Sequence, residues 1–136
     1  MEAGELRVGN IVQLNPEKKW YPEHRVLIVK SIGSDGINIG YEQYVGRTVI
    51  QWEDIAPIPL TEEWLLKFGF EPTKGKEPIM FTNGKYNYFP SYKYFGRTRN
   101  NGGLIHSDVK HVHQLQNLYF ALTGEELIAD ASPPQL

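Results

Sequence analysis

Ile79-Met80-Phe81-Thr82-Asn83-Gly84-Lys85-Tyr86-Asn87-Tyr88-Phe89-Pro90-Ser91-Tyr92-Lys93-Tyr94-Phe95-Gly96-Arg97 places an Asn-Gly pair between apolar runs and follows it with six aromatic residues. Asn83-Gly84 is the strongest hairpin signal in the chain, because both residues accept the positive φ that a tight two-residue turn requires. The spacing predicts strands over residues 79–82 and 85–89, and another over 92–97 after Pro90. In one continuous strand, Tyr86, Tyr88, Tyr92 and Tyr94 share a face by parity, and Phe89 and Phe95 take the other. The phenylalanine face then suits a core. The tyrosine face becomes either a stacking platform for planar rings or a sheet face covered by a helix. A bulge at Pro90 would break this parity.

The residues before this stretch read as strands joined by turns. Residues 6–14 alternate, with Leu6, Val8, Val12 and Leu14 on one face and an interruption at Gly9-Asn10. Residues 24–32 form a dense β-branched strand. Ser34-Asp35-Gly36 is a turn, and residues 37–41 resume strand character. Residues 48–55 put Val49, Gln51, Glu53 and Ile55 on one side. Together they predict a small curled antiparallel sheet or SH3-like barrel over residues 5–57. Pro57 and Pro59 end it.

A helix is expected to start at Thr61, whose hydroxyl can cap the free amides. Glu62 and Glu63 suit its first turn, and Leu60 and Leu65 occupy staple positions. Trp64, Leu65 and Phe68 are its expected buried side, set against the barrel's open edge, and Gly69 is its stop. After a loop over 97–103, residues 104–106 read as a short strand. A second helix is expected over 107–122, with Val112, Leu115, Leu118, Tyr119 and Leu122 as its apolar stripe and Gly124 as its stop. The chain is therefore read as α+β. Residues 1–57 form a β-rich SH3-like half, residues 58–130 an α+β half packed on it as one compact unit, and residues 131–136 a disordered tail around Pro133 and Pro134.

The chain of 136 residues is long enough to bury a core without staples. It has no cysteine, so disulfides, thiolate metal sites and cysteine nucleophiles are excluded, and a reducing, cytoplasmic setting is expected. Its net charge of −2 exerts no global pull on nucleic acid or acidic membranes. Residues 1–5 lack the basic and apolar regions of a signal peptide, and no run approaches a membrane span.

Standard active sites find little support. His111 and His113, two apart on the expected helix, would point about 200° apart and could not grip one ion. Glu53 and Asp54 face opposite ways on a strand, and no pair of carboxylates is arranged for glycoside chemistry. Gly33-Ser34-Asp35-Gly36 lacks the lysine and helix of a phosphate loop. No cofactor is implied, and the reading leans away from an enzyme. The best binding candidates follow the aromatic run: Tyr88, Tyr92 and Tyr94 for stacking, then Arg97, Arg99, Asn100 and Asn101 for anion contacts beside Gly102 and Gly103. Tyr44 and Arg47 form a secondary pair in a loop.

The blocks Leu-Arg-Val-Gly-Asn at 6–10, Ile-Pro-Leu-Thr-Glu-Glu-Trp-Leu at 58–65 and Val-His-Gln-Leu-Gln-Asn-Leu-Tyr-Phe-Ala-Leu-Thr-Gly-Glu-Glu-Leu at 112–127 resemble small uncharacterised proteins of bacteriophages and mobile elements of anaerobic gut bacteria. The resemblance implies an accessory protein made inside a bacterial cell and acting by stoichiometric binding. With the candidate residues, it leads to the expectation of a non-catalytic accessory protein that sequesters a small anionic or nucleotide-like ligand, in a role of the phage anti-defence type. The alternatives are an adaptor for a host or phage protein, and a sequence-tolerant binder of single-stranded nucleic acid, which the net acidity disfavours. A second copy of the chain is a further candidate partner.

Overall fold

The computed structural model describes residues 3–17, 26–39, 49–73, 80–97, 104–106 and 108–129. Two antiparallel five-stranded sheets and two α-helices account for most of them, so the α+β reading stands. The first sheet contains β1 (Ile11–Leu14), β2 (Val26–Ile32), β3 (Gly36–Ile39), β4 (Val49–Gln51) and β5 (Ile55–Ala56), in the order β4-β3-β2-β1-β5.

The expected curled sheet or SH3-like barrel over residues 5–57 is corrected to an open sheet. β4 and β5 are its two edges, and among the described residues no ladder joins them. The physical reason lies in residues 48–55, read from the sequence as one strand. Trp52–Asp54 instead forms a 3-10 turn, which splits that strand into two short pieces. Val49–Gln51 pairs with β3, while Ile55–Ala56 pairs with β1. The split also breaks the expected parity: Val49 and Gln51 are exposed, whereas Ile50, Asp54 and Ile55 are buried. Pro57, lacking an N–H, follows β5 directly and limits it to two residues.

α1 (Glu62–Lys67) begins as its sequence demands. The Thr61 hydroxyl accepts from the Trp64 amide at 3.4 Å, and Glu62 and Glu63 occupy the first turn. Leu60 and Leu65 are both buried in one cluster with Trp64 and Phe68. Gly69 takes a φ of 89°, which stops the helix.

The second sheet is a meander of β6 (Glu71–Pro72), β7 (Phe81–Thr82), β8 (Tyr86–Phe89), β9 (Tyr94–Arg97) and β10 (Leu104–His106), ordered β10-β9-β8-β7-β6. The hairpin expected at Asn83-Gly84 forms, but its two turn residues are Gly84 and Lys85: Asn83 N–H donates to Tyr86 O at 3.2 Å, and of the Asn-Gly pair only Gly84 takes a positive φ. Asn83 Oδ1 accepts from the amides of Lys85 and Tyr86 at 3.0 and 2.9 Å, and Gly84 has a φ of 96°.

α2 (Val112–Thr123) starts five residues later than the sequence periodicity suggests. Two backbone bonds hold the chain extended before it: Leu60 N–H donates to Lys110 O, and Val112 N–H donates to Ile58 O, each at 2.9 Å. Gln114 Oε1 then accepts from the amides of Lys110 and His111, which satisfies donors at the helix start. Gly124, at a φ of 75°, closes the other end.

Two clusters of buried side chains form the core. The smaller lies within the first sheet and contains Leu6, Val12, Leu14, Leu27, Val29, Ile37, Ile50 and Ile55. The larger joins α1, α2 and the inner face of the second sheet, with Phe70, Phe81, Tyr88, Phe95, Val112 and Leu115 at its centre. β1 and β2 serve both. Val12, Leu27 and Val29 point into the smaller cluster, while Ile11, Val26 and Ile28, of opposite parity, meet the larger one. The first sheet thus has a second apolar face, and that face bounds the cleft described next.

Candidate ligand-binding site

The aromatic run is not one strand. Pro90 lacks the donor that would extend β8 (Tyr86–Phe89), Tyr92 N–H donates to Phe89 O at 3.1 Å, and Lys93 takes a φ of 58°. The chain therefore reverses, and β8 pairs with β9 in the register Tyr86↔Arg97, Tyr88↔Phe95 and Phe89↔Tyr94. Tyr86, Tyr88 and Phe95 share the core face as a result. Tyr88 is 1% exposed, and its hydroxyl donates to Val109 O. Burial pushes its pKa up to about 12. Tyr86 stacks on Phe95 and meets the edge of Tyr119 from α2. Tyr88 is therefore a core residue and is removed from the expected ligand surface.

Tyr92 and Tyr94 remain outside. They are 54% and 41% exposed, and their rings stack with centroids 5.5 Å apart. Arg97 ends β9 with its backbone paired to Tyr86. Tyr44, Arg47, Arg99, Asn100 and Asn101 lie outside the described residues.

The strand reading missed a concavity on the first sheet. A cleft of about 470 Å³ opens between β1, β2, α1 and the segment that follows α2. Ile11, Val26 and Ile28 form its floor, Trp64 one wall, and Leu127, Ile128 and Ala129 the other. Of the lining residues, Val8 and Ile128 are 52% and 76% exposed. This volume falls within the range of small-ligand sites, as does the predominance of apolar lining. The signal was present in the sequence. Val26-Leu27-Ile28-Val29 is apolar at consecutive positions, which marks a strand covered on both faces rather than one.

Three polar side chains line the cleft: Lys67, Gln116 and Glu126. Gln116, 1% exposed, is committed to structure. Its Oε1 accepts from Ile11 N–H at 2.8 Å and from Asn10 Nδ2 at 3.4 Å, and its Nε2 donates to Gly9 O at 3.2 Å. Glu126 is held by Arg7, whose Nη1 and Nη2 reach its two carboxylate oxygens. Arg7 also lies over the Phe120 ring at 4.2 Å and donates to Asn117 Oδ1 at 3.1 Å. Lys67 stands apart. Its ammonium sits 4.7 Å from the centre of the Trp64 ring, and among the described residues no carboxylate pairs with it.

The histidines differ from their expected arrangement. His111 precedes α2 in extended backbone, so its ring stacks on that of His113, with centroids 5.8 Å apart, instead of facing away. His113 is 3% exposed, and its Nδ1 has no hydrogen-bond partner. Burial lowers its pKa, His111 lowers it further, and Glu5, 3.8 Å from its Nε2, opposes them. Among the described residues, no group of three or more His, Asp or Glu is placed to hold a metal ion. None of the described helices is long and apolar enough to cross a membrane.

Comparison with protein-family models, with curated proteins and with solved structures returned no match to this chain.

Proposed function

We propose that the protein is a non-catalytic binding protein and that the cleft between β1, β2, α1 and residues 126–129 is its ligand site. The observation that carries this reading is the cleft itself: about 470 Å³ of mostly apolar, solvent-open space on a face of the first sheet that the cores leave partly uncovered. Gln116 and Glu126 are engaged in the fold, so they serve as walls rather than as reacting groups. A stoichiometric role of this kind agrees with the resemblance to small phage proteins and requires no active site.

A neutral dye whose emission rises in apolar surroundings, such as Nile red, tests the reading. The folded protein should bind it saturably. Ala129→Trp, which fills the cleft from a residue outside every strand and helix, should abolish that binding and leave the urea midpoint within experimental error of the parent's. Undiminished dye binding by Ala129→Trp would place the apolar site elsewhere and sink the proposal.

A second reading rests on Tyr92 and Tyr94. Two exposed, stacked rings close to Arg97 in sequence suit a planar anionic ligand, such as a nucleotide or a single-stranded nucleic acid. A panel of nucleotides, cyclic ones included, assayed by thermal shift tests it. Stabilisation that survives Tyr92→Ala plus Tyr94→Ala would exclude the pair as its source. An adaptor role for a host or phage protein would use one of these same two surfaces.

A further inference from the structure

Resting on the cleft as the binding site, we propose that its ligand is an amphipathic anion: an unbranched apolar chain that fills the cleft and ends in a carboxylate held by Lys67. The charges at the cleft decide the polarity of the ligand. Two ionisable side chains line it, one acidic and one basic. The acidic one, Glu126, is neutralised by the two-pronged contact from Arg7, with Nη2 to Oε1 at 3.2 Å. A cationic ligand would have to displace that guanidinium. The basic one, Lys67, is the last residue of α1, where a cation is favoured, and its ammonium lies over the Trp64 ring with no carboxylate partner among the described residues. The ring forms a wall of the cleft, so the ammonium stands beside the apolar space and not remote from it. A cation next to an apolar cavity, with no carboxylate partner among the described residues, favours a ligand that carries one negative charge beside a hydrocarbon body.

The apolar part follows from the lining. Ile28, Ile11, Leu127 and Ala129 offer no polar atoms beyond their backbone, and the Gln116 amide is already engaged in three hydrogen bonds, with Gly9, Asn10 and Ile11. A ligand with internal hydroxyls or amides would lose its hydration here without replacement, at a cost that rises with each group. A methylene chain loses nothing by the transfer.

The test uses the full chain and displacement of the bound neutral dye, with octanoate, decanoate, decan-1-ol and decylamine as probes below their aggregation limits. Decanoate should bind better than octanoate by about three- to fourfold per added methylene. It should bind better than decanol by about fivefold, the worth of one partly exposed ion pair. Decylamine should bind worst. Lys67→Met keeps the stem over Trp64 and removes the charge. It should erase the advantage of decanoate over decanol while leaving decanol within twofold of the parent protein. Intrinsic fluorescence should report decanoate binding through Trp64, and Trp64→Phe should remove that change.

Decanoate and decanol of equal affinity, both excluded by Ala129→Trp, would overturn the assignment of the anion to Lys67 while sparing the cleft. A decylamine affinity equal to that of decanoate would do the same. Failure of all four probes to displace a dye that Ala129→Trp excludes would overturn the unbranched-chain ligand. Dye binding that Ala129→Trp leaves intact would remove the cleft reading and this inference together.

Discussion

Gln116→Leu should destabilise the protein by about 2–4 kcal/mol, because this one side chain serves three partners in the N-terminal segment. Its Oε1 accepts from the backbone N–H of Ile11 at 2.8 Å and from Asn10 Nδ2 at 3.4 Å, while its Nε2 donates to Gly9 O at 3.2 Å. Gln116 and Asn10 are 1% and 0% exposed, so water does not replace the lost partners. Leucine has a similar volume and should pack without opening a large cavity. The cost is therefore mainly that of the orphaned groups. A buried donor or acceptor left without a partner costs about 1–3 kcal/mol. The Ile11 amide is the severest case, since its bond is the shortest of the three. Asn10 Nδ2 keeps its bond to Asn117 Oδ1 at 2.8 Å and loses little. The leucine recovers part of the total through its own apolar burial. Urea denaturation measures the outcome. With an m-value of about 2 kcal/mol/M, the midpoint should fall by roughly 1–2 M at unchanged m. Asn10→Ala should couple to Gln116→Leu by more than about 0.5 kcal/mol in a double-mutant cycle, because the two amides share a network. A midpoint that moves by less than the error, with additive single effects, would refute the idea that Gln116 fastens α2 to β1.

Gly36→Ala should be severely destabilising, since a Cβ there would lie 2.0 Å from Ile50 O, a backbone atom of the paired strand; loss of cooperative unfolding or a large drop in melting temperature checks it. Tyr88→Phe should cost about 1–2 kcal/mol, because it removes the buried hydroxyl that donates to Val109 O. In the parent protein, the Tyr88 pKa of about 12 exceeds its ordinary value of 10.0, so the related stability is complete below about pH 10 and is lost as pH rises through 12. Tyr88→Phe should flatten that alkaline loss in a series of urea midpoints. His113 behaves in the opposite sense: its folded pKa lies below 6.5, so the unfolded chain binds the proton first, and stability is complete above pH 6.5 and falls as the solution is acidified through the folded value. His113→Phe should reduce that acid slope below pH 6.5; an unchanged slope would assign it to other groups.

Local chemistry made much of this fold readable in advance. Thr61 caps α1 by reaching three residues along its own chain, Asn83 folds its hairpin through bonds to Lys85 and Tyr86, and Gly124 ends α2 in the left-handed region. Each of these depends on neighbours a few residues away, so a linear sequence contains the whole interaction. The expected burial of Trp64, Leu65 and Phe68 followed from helix period in the same way.

Packing between distant segments decided the rest. Parity predicts which residues share a face of a strand, but it holds only while the strand continues. The 3-10 turn at Trp52–Asp54 and the reversal at residues 90–93 each interrupted a run that reads as continuous. The first turned an expected barrel into an open sheet, and the second moved Tyr88 into the core. The bridge from Ile58 and Leu60 to Lys110 and Val112 held His111 out of α2, which brought two histidine rings together that helical geometry would have separated. The cleft depends on such long-range partners as well. Ile11, Val26 and Ile28 are apolar in the sequence, but only the arrival of Trp64 and of residues 127–129 beside them makes a cleft, because concavity is a relation between segments and not a property of any one of them.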